Sequence, residues 1–161
     1  MSDTRTLLLM RHASAESGHG LRDFDRALTD HGRGQAETVG RLLAELGYAP
    51  DHVICSAARR TRQTLDGVLE AMDLATPPEV DYSEAVYSAG PDALLESVNH
   101  VDPDADTVLV VAHNPTVAQL AASFVGPSAL AAYEPATVAA IEVEVEWLYA
   151  APGTGSGRLL N

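Results

Sequence analysis

The stretch Leu7-Leu8-Leu9-Met10-Arg11-His12 is an apolar run that ends on an arginine and a histidine. A short apolar run is typical of a buried strand, and ligands of open α/β sheets bind at strand ends. Neither a guanidinium nor an imidazole is readily buried without a partner, so their place beside each other at a strand end indicates a binding site. The cationic donors indicate an anion, and phosphate is the first candidate.

Apolar runs and helical spacing alternate along the rest of the chain. Strands are predicted at Val53-Ile54-Cys55, residues 79–82, Thr107–Ala112 and, as a strand or hairpin, residues 137–147. Helices are predicted from Thr29 or Asp30 to Gly47 and over residues 58–72, 91–100 and 115–125, whereas residues 14–25, 83–90 and 152–157 are expected to form loops and turns. This alternation predicts a mostly parallel sheet covered by helices on both faces, with antiparallel strands near the C-terminus.

Composition sets the class of protein. The 161 residues predict one globular domain spanning 1–161, and no segment has the length and apolarity of a membrane span. A net charge of -13 argues against binding nucleic acid through a basic surface. The single cysteine, Cys55, excludes an internal disulfide. Together with the lack of an evident secretion signal, it favours a cytoplasmic location, and we expect the protein to be bacterial.

A second histidine follows the run Thr107–Ala112. Pro115 suits the first turn of a helix, so Asn114 is predicted to cap that helix and His113 to lie at the strand-to-helix junction. A helix N-terminus presents free backbone amides to an anion. A histidine there could equally well bond only a carbonyl group, so this feature alone leaves both interpretations open.

Three arginines, Arg59, Arg60 and Arg62, fall in the first turns of a predicted helix, where the helix dipole disfavours cations. A bound phosphate would compensate, because Arg binds phosphate oxygens in bidentate fashion. We expect Arg59 and Arg62 to face solvent or pair with Asp66, and Arg60 to belong to the site.

Four segments now follow one another in a recognisable order: Leu8-Leu9-Met10-Arg11-His12-Ala13, Arg26-Ala27-Leu28-Thr29-Asp30-His31-Gly32, Ser56-Ala57-Ala58-Arg59-Arg60-Thr61-Arg62-Gln63-Thr64 and Val110-Val111-Ala112-His113-Asn114-Pro115. The chain thereby resembles the histidine phosphatase superfamily, the phosphoglycerate mutase-like enzymes, and among them the short SixA-type phosphohistidine phosphatases. It departs from the family's Arg-His-Gly signature at Ala13. The resemblance implies an α/β fold, a three-layer α/β/α sandwich around a mostly parallel sheet.

The resemblance also implies a mechanism. His12 would attack phosphorus and form a covalent phosphohistidine that water then hydrolyses. Arg11, Arg60 and His113 would hold the phosphoryl oxygens, with Arg26 as a weaker member of the same cluster. No metal or cofactor is implied.

The proton donor and the substrate are linked. Larger family members supply an acidic donor from an insertion that this chain is too short to contain; Glu84 is the candidate here, although a solvated carboxylate is an equally good interpretation. An alkoxide leaving group requires a proton, whereas the imidazole of phosphohistidine is less demanding, because it can depart as a neutral group from a protonated P–N bond. We therefore expect a phosphatase acting on a phosphohistidine-containing protein, such as a phosphotransfer domain, with inorganic phosphate as product.

Five alternatives stand beside this expectation. A small-molecule phosphomonoesterase is the nearest, and a mutase is disfavoured by the absence of substrate-enclosing insertions. A noncatalytic phosphoprotein-binding module would use the same arginines without turnover. A cysteine phosphatase needs Cys-x5-Arg, but Arg60 lies one residue too early after Cys55. A zinc site lacks the tight ligand spacing that such sites show.

Overall fold

The computed structural model describes residues 4–161 and contains one six-stranded sheet. The strands are β1 (Arg5–Arg11), β2 (His52–Ser56), β3 (Glu79–Ser83), β4 (Thr107–Ala112), β5 (Val138–Val143) and β6 (Gly155–Leu159). Their order across the sheet is β3-β2-β4-β1-β5-β6. The first four of these are mutually parallel, whereas β5 pairs antiparallel with β1 and with β6. The predicted mixed sheet with antiparallel C-terminal strands is confirmed.

Helices cover both faces of the sheet. They are α1 (Asp30–Glu45), α2 (Arg59–Met72), α3 (Glu84–Tyr87), α4 (Pro91–Asn99), α5 (Thr116–Val125) and α6 (Ala129–Ala132), with 3-10 turns at Asp23–Asp25 and Trp147–Tyr149. Side chains alternate along β1, so Leu8 and Met10 share a core with α1 and α2, whereas Leu7 and Leu9 share a core with α4 and α5. The predicted three-layer α/β/α architecture is therefore confirmed.

Helix α1 begins where the sequence predicts it. Thr29 is the N-cap, and its hydroxyl accepts a hydrogen bond from the Gly32 amide at 3.0 Å. Gly32 also lets the helix approach the loop after β1, because a Cβ at this position would lie 2.0 Å from the carbonyl oxygen of Ser14. The start of α1 is thus packed directly against the loop that follows His12.

Three local predictions differ from the structure in extent. Residues 83–90 do not form a loop throughout: the Ser83 hydroxyl accepts from the Val86 amide and caps the short helix α3. Residues 152–157 contain the start of β6, because pairing with β5 overrides the glycines' weak strand preference. The strand or hairpin predicted over 137–147 is present as β5 but is shorter: it ends at Val143, and a 3-10 turn begins at Trp147.

Asn114 does not cap α5. The helix begins after Pro115, and the Asn114 side-chain amide instead donates to the carbonyl oxygen of Tyr133 at 2.8 Å. This bond ties the segment after β4 to the segment before β5, beside the end of β1.

Candidate active site

Two histidines meet because two parallel strands end side by side. In the pairing of β1 with β4, Arg11 lies opposite Ala112, so His12 and His113 each follow the end of neighbouring strands. The His12 amide continues the ladder by donating to the Ala112 carbonyl at 3.0 Å. The two imidazole ring centroids are 5.4 Å apart.

A cavity of about 470 Å³ opens at this end of the sheet. Its walls come from the ends of β1 and β4, the loop before α1, the first turn of α2 and the segment before β5. The lining residues are Arg11, His12, Ser14, Ala15, Asp23, Arg26, Arg60, His113, Asn114 and Pro135. The structure thus places Arg11, His12, Arg26, Arg60 and His113 around one cavity.

His12 lies deep in this cavity with 8% of its surface exposed. Its Nδ1 is 2.7 Å from the carbonyl oxygen of Ala13, which has no proton to give, so Nδ1 carries the ring proton and Nε2 keeps its lone pair. Burial, with the charges of Arg60 and Arg11 adding to it, lowers the pKa of His12 to about 4. The imidazole is therefore neutral at physiological pH and nucleophilic at Nε2.

His113 is held as a neutral ring as well. An Arg60 Nη2 lies 3.2 Å from its Nδ1 and, being a donor, requires Nδ1 to accept; Nε2 then donates to the buried Ser56 hydroxyl at 2.7 Å. Burial and the Arg60 charge lower the pKa of His113 to about 3. Arg60 and Ser56 together thus set the tautomer of this histidine.

Two guanidinium groups present unused donors. Within the part of the chain that the structure describes, Arg11 Nε and Arg60 Nε are buried and have no hydrogen-bond partner. Arg11 is oriented by donating through Nη1 to the Tyr133 carbonyl at 3.1 Å, and burial lowers its pKa. Buried charged donors without partners are costly unless a ligand satisfies them. An anion with several oxygens, such as a phosphoryl group, meets that requirement.

The sequence analysis missed Asp23, which also lines the cavity. Its carboxylate accepts from Arg60 at 3.0 Å, from the Tyr87 hydroxyl at 2.6 Å and from Arg26 at 2.9 Å. The Tyr87 hydrogen bond, followed by Arg60 and Arg26, lowers the pKa of Asp23 to about 2. The Asp-x-x-Arg spacing of Asp23 and Arg26 was the available signal, because this spacing allows an ion pair in a helical turn.

Gln63 and Thr64, at the end of the segment Ser56–Thr64, hold the chain on both sides of the loop between β1 and α1. Ala13 donates its amide to the Thr64 hydroxyl at 3.0 Å, and Leu28 donates its amide to Gln63 at 2.8 Å. Gln35 on α1 accepts from the Ser14 amide at 2.8 Å. The Gln-Thr pair of α2 thereby fixes both the segment that carries His12 and the segment that leads to α1.

Two other sequence candidates lie outside the cavity. Glu84 begins α3 and lines a separate surface depression together with Phe24 and Arg62. Cys55 is fully buried among the core residues packed under α1 and α2, and burial raises the pKa of its thiol to about 12. Cys55 is therefore a protonated core side chain.

Residues 4–161 contain no cluster of three or more His, Cys, Asp or Glu side chains arranged to hold a metal ion. A search of the same residues for a helix long and apolar enough to cross a membrane also finds none.

Comparison with known proteins agrees with this geometry. The sequence profile of the histidine phosphatase superfamily (branch 1) matches residues 7–86. An uncharacterized protein of Mycobacterium tuberculosis is 33% identical over 153 residues, which cover 89% of this chain and 93% of the relative.

Solved structures show the same likeness. The candidate phosphohistidine phosphatase SixA from Nakamurella multipartitia superimposes with a TM-score of 0.83 at 34% identity, covering 96% of this chain and 94% of that one. A candidate SixA from Agrobacterium tumefaciens superimposes with a TM-score of 0.77 at 28% identity, covering 86% and 92%.

Proposed function

This chain belongs to the histidine phosphatase superfamily as a SixA-type phosphatase, and we propose that it hydrolyses protein-bound phosphohistidine through a phosphohistidine formed on its own His12. The observation that carries the proposal is the neutral, buried His12 with an unprotonated Nε2, set among guanidinium groups that have unused donors. A nucleophile and the charges that stabilise its transition state thus share one cavity.

The first step is an in-line displacement. The lone pair of His12 Nε2 forms a bond to phosphorus while the P–N bond of the substrate breaks. The substrate ring is protonated at its other nitrogen, so the P–N electron pair leaves with a neutral imidazole. The proton on Nδ1 stays hydrogen-bonded to the Ala13 carbonyl, which supports the charge that develops on the ring.

Water attacks the same phosphorus in the second step and releases inorganic phosphate and neutral His12. In both steps Arg11, Arg26 and Arg60 neutralise the phosphoryl oxygens, and the neutral His113 orients Arg60 by accepting from its Nη2. No step requires a metal ion.

The substrate class is inferred from the carboxyl groups that line the cavity. Of the side chains between residues 4 and 161 that line it, Asp23 is the sole carboxyl group, and its pKa of about 2 keeps it ionised. Glu84, the proton donor predicted from the sequence, lines a different depression and plays no part in the proposal. A leaving group that needs no proton from the protein suits this site better than a sugar or serine alkoxide, and the imidazole of phosphohistidine already carries its proton on the ring.

The test is phosphate release from a phosphohistidine-bearing phosphotransfer domain. Wild-type protein is expected to dephosphorylate it, whereas His12→Ala is expected to be inactive and folded. Comparison of kcat/KM with that for small sugar and serine phosphates separates the proposal from a small-molecule phosphatase. Equal rates for wild type and His12→Ala, or a preference for the small esters, would reject it. A cytoplasmic location is part of the same proposal, because phosphotransfer domains act there.

A further inference from the structure

Asp23 lies at the mouth of the cavity and His12 at its floor. Asp23 belongs to the 3-10 turn Asp23–Asp25, and 52% of its side chain is exposed, against 8% of His12. An in-line displacement expels the leaving group on the side of phosphorus opposite the nucleophile. A phosphoryl group attacked from the floor therefore releases its leaving group towards the mouth, where the Asp23 carboxylate lies.

The carboxylate is fixed from three directions. Arg60 reaches it from α2, Tyr87 from α3 and Arg26 from the loop before α1. Arg60 also donates through Nη1 to the Asp23 backbone carbonyl at 2.8 Å, which ties the 3-10 turn itself to the site. Asp23 is thus placed by two of the three arginines that the proposed function assigns to the phosphoryl oxygens.

An incoming phosphoryl group changes the hydrogen bonds that hold the Asp23 carboxylate. Its oxygens compete with Asp23 for the donors of Arg60 and Arg26, because both partners are anionic acceptors. The Tyr87 hydroxyl donates to Asp23 from outside the cavity lining, so it is expected to keep the carboxylate in position. Acceptor capacity is then released on the carboxylate, next to the outgoing group.

On the basis of the proposed function, we infer that Asp23 is a further catalytic residue, whose carboxylate accepts a hydrogen bond from the far ring nitrogen of the leaving imidazole. Phosphohistidine protonated at that nitrogen leaves as neutral imidazole: the P–N electron pair returns to the near nitrogen, and the proton stays on the far one. Asp23 gains and loses no proton in this step. It is a leaving-group acceptor that selects a cationic nitrogen heterocycle over an alkoxide.

The charge of Asp23 affects how phosphohistidine turnover depends on pH. An anionic acceptor favours the protonated form of the substrate ring and raises its pKa. Arg60, Arg26 and Tyr87 face Asp23, while the neutral His12 and His113 line the same cavity. With the carboxylate present, phosphohistidine turnover therefore persists to higher pH than without it.

The experiment compares two substrates across matched variants. Asp23→Asn and Asp23→Ser remove the charge, and Asp25→Asn is the control, because Asp25 lies in the same turn but pairs with Arg22 at 3.0 Å and does not line the cavity. The substrates are a phosphohistidine-bearing phosphotransfer domain and p-nitrophenyl phosphate, whose nitrophenolate departs as an anion. The readout is the ratio of the two kcat/KM values in each variant.

Both Asp23 variants are expected to lower this ratio about 10- to 100-fold, as for loss of one charge-assisted hydrogen bond, and Asp25→Asn to leave it unchanged. Their kcat for the phosphohistidine substrate should also decline at a pH about one unit below that of the wild type, because kcat reports ionisation in the enzyme–substrate complex. An unchanged ratio overturns the inference, since a residue that merely orients Arg60 and Arg26 affects both substrates equally. Wild-type protein without phosphohistidine activity would instead refute the proposed function, and the inference with it.

Discussion

Replacement of Thr64 by valine tests how the nucleophile is held. Thr64 is fully buried, and its hydroxyl accepts the amide of Ala13, the residue after His12, at 3.0 Å. Valine keeps the shape of the side chain but leaves that buried amide without a partner, which costs about 1–3 kcal/mol. The other bond of the hydroxyl, donated to the Arg60 carbonyl at 2.7 Å, is also lost.

Thermal and urea unfolding measure this cost. A chain of this size loses roughly 2–4 °C in Tm per kcal/mol, so Thr64→Val is expected to melt about 2–12 °C lower than the wild type. Because Ala13 anchors the segment that carries His12, kcat should also fall about tenfold. The control is Thr38→Val, since Thr38 is exposed and its hydroxyl bonds only within α1, to the Gly34 carbonyl and the Arg41 side chain. A Thr64→Val variant within about 0.5 kcal/mol of that control would refute the reasoning.

Three further predictions concern charge and protonation. The free energy of unfolding should fall as pH drops from about 6.5 to about 4, because the unfolded chain binds protons at histidines that the folded state keeps neutral: the pKa of His12 is lowered to about 4 and that of His113 to about 3. Urea titrations across this pH range measure the slope, which His12→Asn should reduce; a flat profile would contradict the burial argument. Arg60→Lys should lower kcat/KM about 10²- to 10³-fold, because lysine cannot reproduce the contacts to Asp23 and His113 while also donating to a phosphoryl oxygen. Activity near that of the wild type would contradict the role of Arg60 in binding the phosphoryl group. Cys55→Ala should retain kcat/KM within about twofold, because its thiol is protonated in the core, and loss of activity with intact folding would revive a cysteine mechanism.

The architecture was predictable because local pattern and long-range pairing agree in the buried strands. The run from Leu7 to Met10 is fully buried, as its composition predicts, and the parallel pairing of β1 with β4 brings His12 next to His113. The same logic places Arg60 at the N-terminus of α2, just after β2. Strand ends in a parallel sheet converge on one edge, so the sequence assigns three segments distant along the chain to one location.

Asp23 and Tyr87 escaped prediction because their positions depend on the path of loops. Residues 14–25 carry no periodicity, so nothing in the sequence shows that the loop folds back over Arg60. The four-residue helix α3, which aims Tyr87 at Asp23, is too short to produce a helical pattern and depends on the Ser83 cap. Glu84 was selected by position along the chain, but the beginning of α3 directs it to a neighbouring depression.

The most direct test of the account is to trap the covalent intermediate. A phosphotransfer domain carrying 32P-labelled phosphohistidine is mixed with the protein, the reaction is stopped within milliseconds by alkali, and labelled peptides are mapped. We expect an acid-labile, alkali-stable label on the peptide that contains His12, and no label in His12→Ala. Rapid phosphate release with no labelled protein, or a label on any other residue, would contradict the claim that His12 is the nucleophile.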